Sequence, residues 1–538
     1  MKKKFSVVCV ALALTFSTLL TACGSKKNSN QSKENQGQTN NVVSTADGND
    51  TQPEETTATQ GGSIVVGITN DLDSLDPHKA VAAGTKEVLF NIFEGLVKPT
   101  SEGELVPAVA SDYQISEDGK TYTFTLRDGV KFHNGQEVTV EDVIYSLKRS
   151  AGMLEEEDVD VKKVEALSII SEIKAVDDKN VEITLSESNT ELLAYLTCAI
   201  IPKDYQDQTT NPVGTGPFKF VSYEPQQSFV MEKNQDYYGT PAYLDKVTFK
   251  ISADANAAFM ELQAGSIDIF PYLTQAQASQ ITGNYTVEIG STNIVQALFL
   301  NNNVEPFTKK EVRQAMCYAV NRQGILDFVA GGNGSIIGSN IFPNFKKYYN
   351  EECENKYPYD VAKAKELLKE AGYPDGFKLT ITVPSNYQFH VDTAQVIVEQ
   401  LKQVGITAEI QLVEWASWLD DVYKERNYEA TIVGLTADLA PSDLTARYQS
   451  DAGNNFFNYN NSQYDEVFKK AIATVNEDEK AELYKQLQTI VADDAANVYI
   501  QDPASMVAVN KKITGYQFYP LYVQDMSLIH YVDAAENH

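Results

Sequence analysis

The residue best placed to do chemistry in this sequence is an aspartate that follows an apolar segment. Residues 429–435 are predicted to form a buried strand, and Asp438 comes shortly after it. Apolar Ala437 and Leu439 flank this carboxylate, so it would need a cation if its loop became enclosed. Ligand sites of open α/β sheets lie beyond such strand ends. The pattern predicts a cation-binding aspartate, and the alternative is a solvated loop residue or a helix cap for the chain from Ala440 onward.

The other reactive side chains form no recognisable catalytic or metal-binding motif. The sequence has no HExxH, no GxSxG and no CxxC spacing. The five histidines stand at positions 78, 133, 390, 530 and 538, and the first two lie in runs typical of structural turns. We therefore predict that the protein is not an enzyme and that it has no cofactor and no metal site.

Length and charge limit the class of protein further. The 538 residues leave room for two or three domains. Asp and Glu number 74 against 44 Lys and Arg, which gives a formal net charge of -30. An acidic surface of this kind repels the phosphates of nucleic acids and anionic lipid headgroups. We therefore expect no nucleic-acid partner and no binding to membranes through bulk charge.

The N-terminal segment indicates export. Three lysines precede a charge-free apolar run at 5–22, which predicts a signal peptide over residues 1–22, with a membrane-spanning helix as the alternative. The Leu-Thr-Ala-Cys run at 20–23 resembles the lipobox of bacterial lipoproteins, which implies cleavage before Cys23 and a lipid on its sulfur. Residues 24–62 contain no aromatic side chain, so residues 23–62 are predicted to form a flexible tether. Three thiols then remain, those of Cys198, Cys317 and Cys353. Because their number is odd, they cannot all pair in disulfide bonds, and the sequence does not predict a disulfide framework.

The rest of the chain alternates between strand and helix patterns. Apolar runs predict strands at 63–67, 243–252, 295–301, 377–383, 406–413 and 429–435, and a hairpin across 113–126. Amphipathic spacing predicts helices at 85–95, 139–149, 256–264, 309–321, 360–371 and 393–404. Glycines at 265, 372 and 405 are placed to end three of these helices. The pattern predicts an α/β fold in which strand–helix–strand units bury parallel strands.

Several short runs, taken in order, resemble the family 5 extracellular solute-binding proteins, which are the peptide and nickel receptors of ATP-driven importers. The resemblance covers nearly everything after the tether. The matching runs are Leu-Asp-Pro-His at 75–78, Phe-Glu-Gly-Leu at 93–96, Leu-Arg-Asp-Gly-Val-Lys-Phe-His-Asn-Gly at 126–135, Asp-Val-Ile-Tyr-Ser at 142–146, Val-Gly-Thr-Gly-Pro-Phe at 213–218 and Val-Arg-Gln-Ala at 312–315.

This resemblance implies a periplasmic-binding-protein-like clamshell of type II in its large three-domain form, with mixed sheets and hinge strands. Two lobes would close on a ligand. The boundaries implied by the family are lobe I at 63–95, 211–300 and 500–538, an inserted domain at 96–210, and lobe II at 301–499. Closure of this kind is a two-state motion that contacts with the ligand bias.

The resemblance also implies a set of ligand-binding residues. In peptide-binding members an aspartate of the second lobe pairs with the ligand's α-ammonium, and a tryptophan after a glutamate lines the cleft. A segment of the first lobe pairs its backbone with an extended peptide. The residues that match these family positions or stand beside them are Val81, Ala82, Ala83, Trp415, Trp418, Gly434, Thr436 and Asp438. Core packing is the alternative for both tryptophans.

The function that the resemblance implies is that of a lipid-anchored, monomeric receptor on the outer face of the cell membrane. It would capture oligopeptides or dipeptides by closing around them, and deliver them to the permease and ATPase subunits of an ABC importer. The lipid would be its only membrane contact. Two alternatives stay open: a receptor for a nickel chelate or another small solute, and a surface adhesion or signalling module that has lost transport.

Overall fold

The computed structural model describes residues 59–154, 161–385 and 387–532. The predicted signal peptide, Cys23 and nearly all of the predicted tether lie outside these residues. Within the described part of the chain, no helix combines the length and the apolar character needed to cross a bilayer.

The strands follow one another along the whole described chain. In chain order they are β1 (Ser63–Ile68), β2 (Val97–Pro99), β3 (Leu105–Pro107), β4 (Ala110–Ile115), β5 (Thr121–Leu126), β6 (Ile170–Ala175), β7 (Asn180–Leu185), β8 (Phe218–Glu224), β9 (Ser228–Lys233), β10 (Lys246–Ile251), β11 (Ile269–Phe270), β12 (Tyr285–Ser291), β13 (Val295–Leu300), β14 (Gly334–Ile336), β15 (Lys378–Pro384), β16 (Thr407–Val413), β17 (Ala430–Leu435), β18 (Val498–Asn510), β19 (Ile513–Thr514) and β20 (His530–Tyr531).

The helices are concentrated in the C-terminal half. In chain order they are α1 (Ala83–Leu89), α2 (Val140–Ala151), α3 (Leu192–Tyr195), α4 (Ala255–Gln263), α5 (Gln275–Ala278), α6 (Lys310–Ala319), α7 (Arg322–Ala330), α8 (Val361–Glu370), α9 (Gln388–Leu401), α10 (Trp415–Ser417), α11 (Ser442–Thr445), α12 (Ser462–Ala473) and α13 (Glu477–Asp493). A π-helical segment, Trp418–Lys424, continues α10.

One large mixed sheet runs through the molecule in the order β16-β15-β17-β13-β18-β11-β1-β10-β9-β8. Its longest strand, β18, joins two halves. The C-terminal part of β18 pairs with β12 and β11, and its N-terminal part pairs with β13 and β14. The first half of the sheet is completed by β1, β10, β9 and β8, and the second half by β17, β15 and β16. The chain crosses between the halves within β18 and in the short link from β12 to β13.

The central strands of the second half, β13 and β17, are buried on both faces, whereas the edge strand β16 is largely exposed. Alternate residues of β13 enter different hydrophobic clusters: Phe299 contacts an aromatic cluster with Phe456, whereas Leu298 lies in a cluster with Ile381. β15 is parallel to both of its neighbours, β16 and β17. Burial on both faces explains why these strands read as continuous apolar runs in the sequence.

A separate four-stranded antiparallel sheet, in the order β4-β5-β7-β6, lies between residues 110 and 185. α2 packs on it, with Val143 and Leu147 of the helix and Phe124 of β5 in one cluster. This sheet falls inside the segment predicted as an inserted domain. The domain boundaries themselves stay a prediction.

Most predicted elements are confirmed, with small shifts at their ends. α2 begins with a capping box in which the Thr139 hydroxyl accepts from the Asp142 N–H while the Asp142 carboxylate accepts from the Thr139 N–H. Gly265, Gly372 and Gly405 follow helical segments with φ of +75°, +91° and +87°, values that glycine adopts without steric cost.

Two helix predictions were wrong at one end. The helix predicted at 85–95 stops at Leu89, because the carbonyls of Asn91 and Ile92 accept hydrogen bonds from Phe218 and Gly216 instead of continuing the helix. Glycine permits that approach, since a Cβ on Gly216 would lie 2.6 Å from the Asn91 carbonyl oxygen. The helix predicted at 393–404 begins earlier, as α9 (Gln388–Leu401), and a short 3₁₀ turn then extends it to Gly405.

A buried ion pair ties the first loop of the molecule to the inserted segment. The carboxylate of Asp76, in the Leu-Asp-Pro-His run, accepts two hydrogen bonds from the Arg149 guanidinium, at 2.9 and 2.8 Å. Both side chains are buried, and the same carboxylate accepts the His78 N–H at 3.0 Å. Removing one partner would leave a buried charge uncompensated.

We expect Arg149→Met to lower the free energy of unfolding by about 3–5 kcal/mol, because it leaves the Asp76 carboxylate buried without its cation. Urea denaturation followed by circular dichroism measures this loss. The double variant Asp76→Asn/Arg149→Met removes both charges and should recover most of the stability. A double variant as unstable as Arg149→Met would contradict this explanation.

Candidate functional site

A cavity of about 860 Å³ opens between the two halves of the molecule. Its walls come from the loop before α1 and from α1 itself, from the segments at 93–106 and 194–199, from the loop after β17, and from the segment between β19 and β20. The volume lies within the range of small-molecule sites. The site is therefore assembled from parts of the chain that are distant in sequence.

Asp438 lies on the wall of this cavity, together with Thr436 and Leu439. It is exposed, and its backbone N–H donates to Asp443 Oδ2 at 3.0 Å. Among the described residues, no cation forms an ion pair with its carboxylate. The acid predicted to bind a cation thus faces an open volume, and no described residue compensates its charge.

Gly434 lies behind this loop, outside the cavity lining. Its N–H donates to His390 Nε2 at 3.2 Å. A Cβ at this position would lie 2.4 Å from Ile294 Cγ2, so a larger residue would push the strand end away from its neighbour. Its position supports a structural role for this glycine in holding the start of the Asp438 loop.

The two tryptophans lie in the second half of the molecule and outside the cavity lining. Their rings stack with centroids 5.0 Å apart. Trp418 is 2% exposed, and its Nε1 donates to Thr431 Oγ1 at 2.9 Å. Trp415 is half-buried and makes an edge contact with Tyr387 at 5.3 Å. These contacts match the core-packing alternative, most fully for Trp418.

Val81 and Ala83 line the cavity, and Val81 is 58% exposed. The backbone N–H groups of Val81 and Ala82 donate to Asp73 Oδ2 at 2.8 and 3.0 Å. The donors that would pair with an extended ligand are therefore engaged within the protein. The Ala82 carbonyl is engaged as well, since it accepts the N–H groups of Thr85 and Lys86.

The segment between β19 and β20 is the part of the site that sequence reasoning missed. It lines the cavity with Leu521, Tyr522 and Asp525, among others. The available signal was its density of aromatic residues, since residues 516–522 contain four tyrosine or phenylalanine side chains. That pattern alone does not distinguish a cavity wall from ordinary core.

A second feature missed from the sequence is a polar junction beside Asp438. The Tyr195 hydroxyl donates to Asp443 Oδ1 at 2.6 Å, and the Ser442 N–H donates to Glu191 Oε2 at 3.1 Å. The buried Glu191 also accepts the Tyr484 hydroxyl. Burial raises the pKa of Asp443 to about 6, and the nearby charge of Asp438 adds to this shift. The junction joins the predicted inserted domain to the predicted second lobe.

Basic side chains also line the cavity, and one of them is fully engaged. Lys98 Nζ lies 3.0 Å from Glu94 Oε1 and 2.8 Å from the Tyr237 hydroxyl. The hydroxyls of Tyr237 and Tyr238 each donate to Glu94 at 2.6 Å. The other lysines on the cavity wall are Lys86, Lys162 and Lys163. The cavity thus presents both signs of charge to a ligand.

The buried histidines serve the structure. His78 and His133 place Nε2 2.9 and 3.0 Å from the carbonyl oxygens of Ala199 and Gly216, so Nε2 carries the proton. Burial lowers the pKa of His78, His133 and His390 to about 4, which keeps the three rings neutral near pH 7. Within the described ranges, no group of three or more His, Cys, Asp or Glu residues is placed to hold a metal ion.

The sequence of this chain is similar to a known protein family and to individual bacterial binding proteins. The family described as "Bacterial extracellular solute-binding proteins, family 5 Middle" matches residues 104–458. The dipeptide-binding protein of Escherichia coli (strain K12) is 29% identical over 459 residues, which cover 78% of this chain and 84% of that protein. Heme-binding protein A of Haemophilus influenzae is 29% identical over 453 residues, with coverage of 77% and 82%.

A solved structure shows the same fold. It is that of the ABC transporter-associated periplasmic binding protein DppA from Helicobacter pylori in complex with the peptide STSA. The TM-score is 0.71 at 28% identity, and the match covers 88% of this chain and 99% of that one. The predicted periplasmic-binding-protein fold with mixed sheets is confirmed. This chain belongs to the bacterial extracellular solute-binding proteins of family 5.

Proposed function

We propose that this protein is the peptide-capturing receptor of an ABC importer and that Asp438 receives the cationic end of the ligand. The observation that carries the proposal is an exposed carboxylate, without a cation partner among the described residues, on the wall of a cavity of about 860 Å³. The names of two similar proteins support it, since one is a dipeptide-binding protein and the other has been solved with a bound peptide.

Capture proceeds by closure of two lobes around the ligand. The lobes in this proposal are residues 63–95, 211–300 and 500–538 on one side and residues 301–499 on the other, with residues 96–210 inserted. The crossings of the sheet within β18 and between β12 and β13 lie near these boundaries. Few chain crossings between two packed bodies favour a hinge motion. A ligand that contacts both walls stabilises the closed form.

The ammonium of a peptide is a suitable partner for Asp438. An enclosed carboxylate loses its hydration, and a cation that replaces the water restores a large part of that free energy. Lysines elsewhere on the cavity wall, such as Lys86 and Lys162, can face the carboxylate end of the same ligand. The opposite charges on the cavity wall therefore suit a zwitterionic ligand such as a peptide.

A second candidate is a receptor for another small solute, because one relative is named a heme-binding protein. The described histidines give this candidate little support. Nε2 of His78, a histidine on the cavity wall, already donates to the Ala199 carbonyl, and its Nδ1 is buried away from the cavity surface. We therefore propose a solute-binding role without catalysis, and not a function in which a histidine side chain binds the ligand or reacts with it.

The proposed location is the outer face of the cell membrane. Cleavage before Cys23 and attachment of a lipid to its sulfur would leave the folded body on the tether of residues 23–62. In this proposal the protein works as a monomer beside its permease and ATPase partners.

We expect Asp438→Ala to weaken binding of trialanine by about tenfold to a hundredfold, because a charge-assisted contact to the α-ammonium is lost. Isothermal titration calorimetry measures the change. N-acetyl-trialanine, which has no ammonium and should bind weakly, should change little. Asp451→Ala, an exposed aspartate outside the cavity lining, is the control. Equal losses for both peptides would remove the proposed role of Asp438.

We expect the stability of the Asp443 junction to depend on pH. The pKa of Asp443 is about 6 in the folded protein and ordinary when unfolded, so its protonated form stabilises the fold below pH 4. That contribution is lost as pH rises through about 6. Asp438, Glu191 and Tyr195 are the titratable groups that face it. The difference in free energy of unfolding between Asp443→Asn and the wild type should shift in favour of the variant by on the order of 1–2 kcal/mol from pH 4 to pH 7. Chemical denaturation at each pH measures this difference. A difference in stability that stays constant across this range would count against it.

We expect Cys23→Ala to release the protein from the membrane fraction of its host, because the thioether lipid would be its only anchor. Fractionation followed by immunoblotting measures the distribution. The wild type should sediment with membranes and be extracted by detergent. A variant that stays in the membrane fraction would indicate that the N-terminal apolar run itself spans the bilayer.

A further inference from the structure

The segment between β19 and β20 presents a second acidic side chain to the cavity. Asp525 lines the same cavity as Asp438, and it belongs to a segment assigned to the other predicted lobe. It is half-buried, and the sequence gives no motif that would single it out. Its surroundings show how it is held.

A buried amide fixes the backbone on both sides of Asp525. Asn91, which has no exposed surface, donates from Nδ2 to the Gln524 carbonyl at 2.7 Å. The same side chain accepts the Met526 N–H on Oδ1 at 2.9 Å. One rigid group therefore holds the residues before and after Asp525, so the position from which its side chain projects is fixed.

Two donors orient the Asp525 carboxylate, and neither of them carries a charge. Its Oδ2 accepts the Tyr519 hydroxyl at 2.6 Å, and its Oδ1 accepts the Ser527 N–H at 2.8 Å. In the part of the chain that the structure describes, no Lys, Arg or His side chain forms an ion pair with it. A carboxylate has room for about four hydrogen bonds, so acceptor capacity remains for a ligand.

Glu94 shows how the protein treats a carboxylate in this cavity when the charge is structural. Lys98 pairs with it at 3.0 Å, and two tyrosine hydroxyls complete its shell. Asp525 has the phenol but no cation from the described residues. The difference leaves the Asp525 carboxylate open to a cation from outside the protein.

The wall beside Asp525 suits the stem of a basic side chain. Tyr519, the donor to Asp525, makes an edge contact with Phe90 at 5.9 Å, and both residues line the cavity with Tyr522. Aromatic surface of this kind packs against the methylene groups of lysine or arginine and attracts their charged ends.

We infer that Asp525 forms a second cation subsite, which takes the basic side chain of a lysine- or arginine-containing ligand. This inference rests on the proposed peptide function, because it assigns a preference to the same cavity. Asp438 would bind the terminal ammonium, and Asp525 would select among peptides by their side chains. The receptor therefore favours basic peptides over neutral ones of the same length.

Calorimetry with a matched set of peptides tests the subsite. The probes are trialanine, the three tripeptides in which one alanine is replaced by lysine, and the same three with norleucine in place of lysine. Norleucine keeps the methylene stem and lacks the charge. In the wild type, one lysine peptide should bind about tenfold more tightly than trialanine and than its norleucine analogue.

Asp525→Asn should abolish this preference and leave trialanine binding within twofold of the wild type. The asparagine can still accept from Tyr519 or from the Ser527 N–H, so the loop should keep its place. Asp451→Asn, an exposed substitution of the same charge change, should retain the preference. Equal melting temperatures of the three proteins show that the comparison concerns folded material.

The outcomes separate this inference from the function on which it rests. Trialanine binding without a lysine preference in the wild type would overturn the subsite and keep the peptide function. A preference that persists in Asp525→Asn would also overturn it. If the wild type binds none of the seven peptides, the peptide function itself fails, and the subsite fails with it.

Discussion

The structure depends on the continuity of one strand across two halves of a sheet. β18 pairs with β12 along one part of its length and with β13 along the other, so the same backbone belongs to both halves. At the crossing, buried Asp502 accepts from the Ser291 hydroxyl and from the Ile294 N–H. Burial raises the pKa of Asp502 to about 7. The crossing thus consists of ladder hydrogen bonds and one enclosed carboxylate, and the cavity lies where the two halves diverge.

The cavity shows two ways of handling charge in an enclosed space. Glu94 is balanced inside the protein by Lys98 and two tyrosines, and it contributes to the fold. The Asp525 carboxylate is oriented by a phenol and a backbone N–H, and neither it nor the Asp438 carboxylate has a cation partner among the described residues. Leaving a charge unpaired costs free energy in the closed form unless a ligand supplies the counter-charge. This asymmetry supports a binding role for the two aspartates.

The sequence predicted helices and strands well where hydrogen bonds between residues close in sequence determine their ends. The Thr139 capping box and the glycines after α8 and α9 are examples, since each acts within a few residues of itself. The prediction failed at α1, where apolar spacing continued past Leu89 but the carbonyls of Asn91 and Ile92 were taken by residues 216–218. A distant partner cannot be seen in local periodicity.

The candidate site, too, was predicted in part from local sequence and depended in part on contacts between distant residues. The sequence by itself determined the fold class, the strand that ends before Asp438 and the acidic residue there, because period and composition record burial and loop position. Only the tertiary structure decided that Trp418 lies in the core, that Asp443 and Tyr195 meet beside Asp438, and that the segment of Asp525 forms a wall of the same cavity. The reason is physical. Tyr195 and Asp443 are separated by 248 positions, and Asn91 and Gln524, which hold the segment of Asp525, by 433. The core around Trp418 forms only when the strands of the sheet are paired.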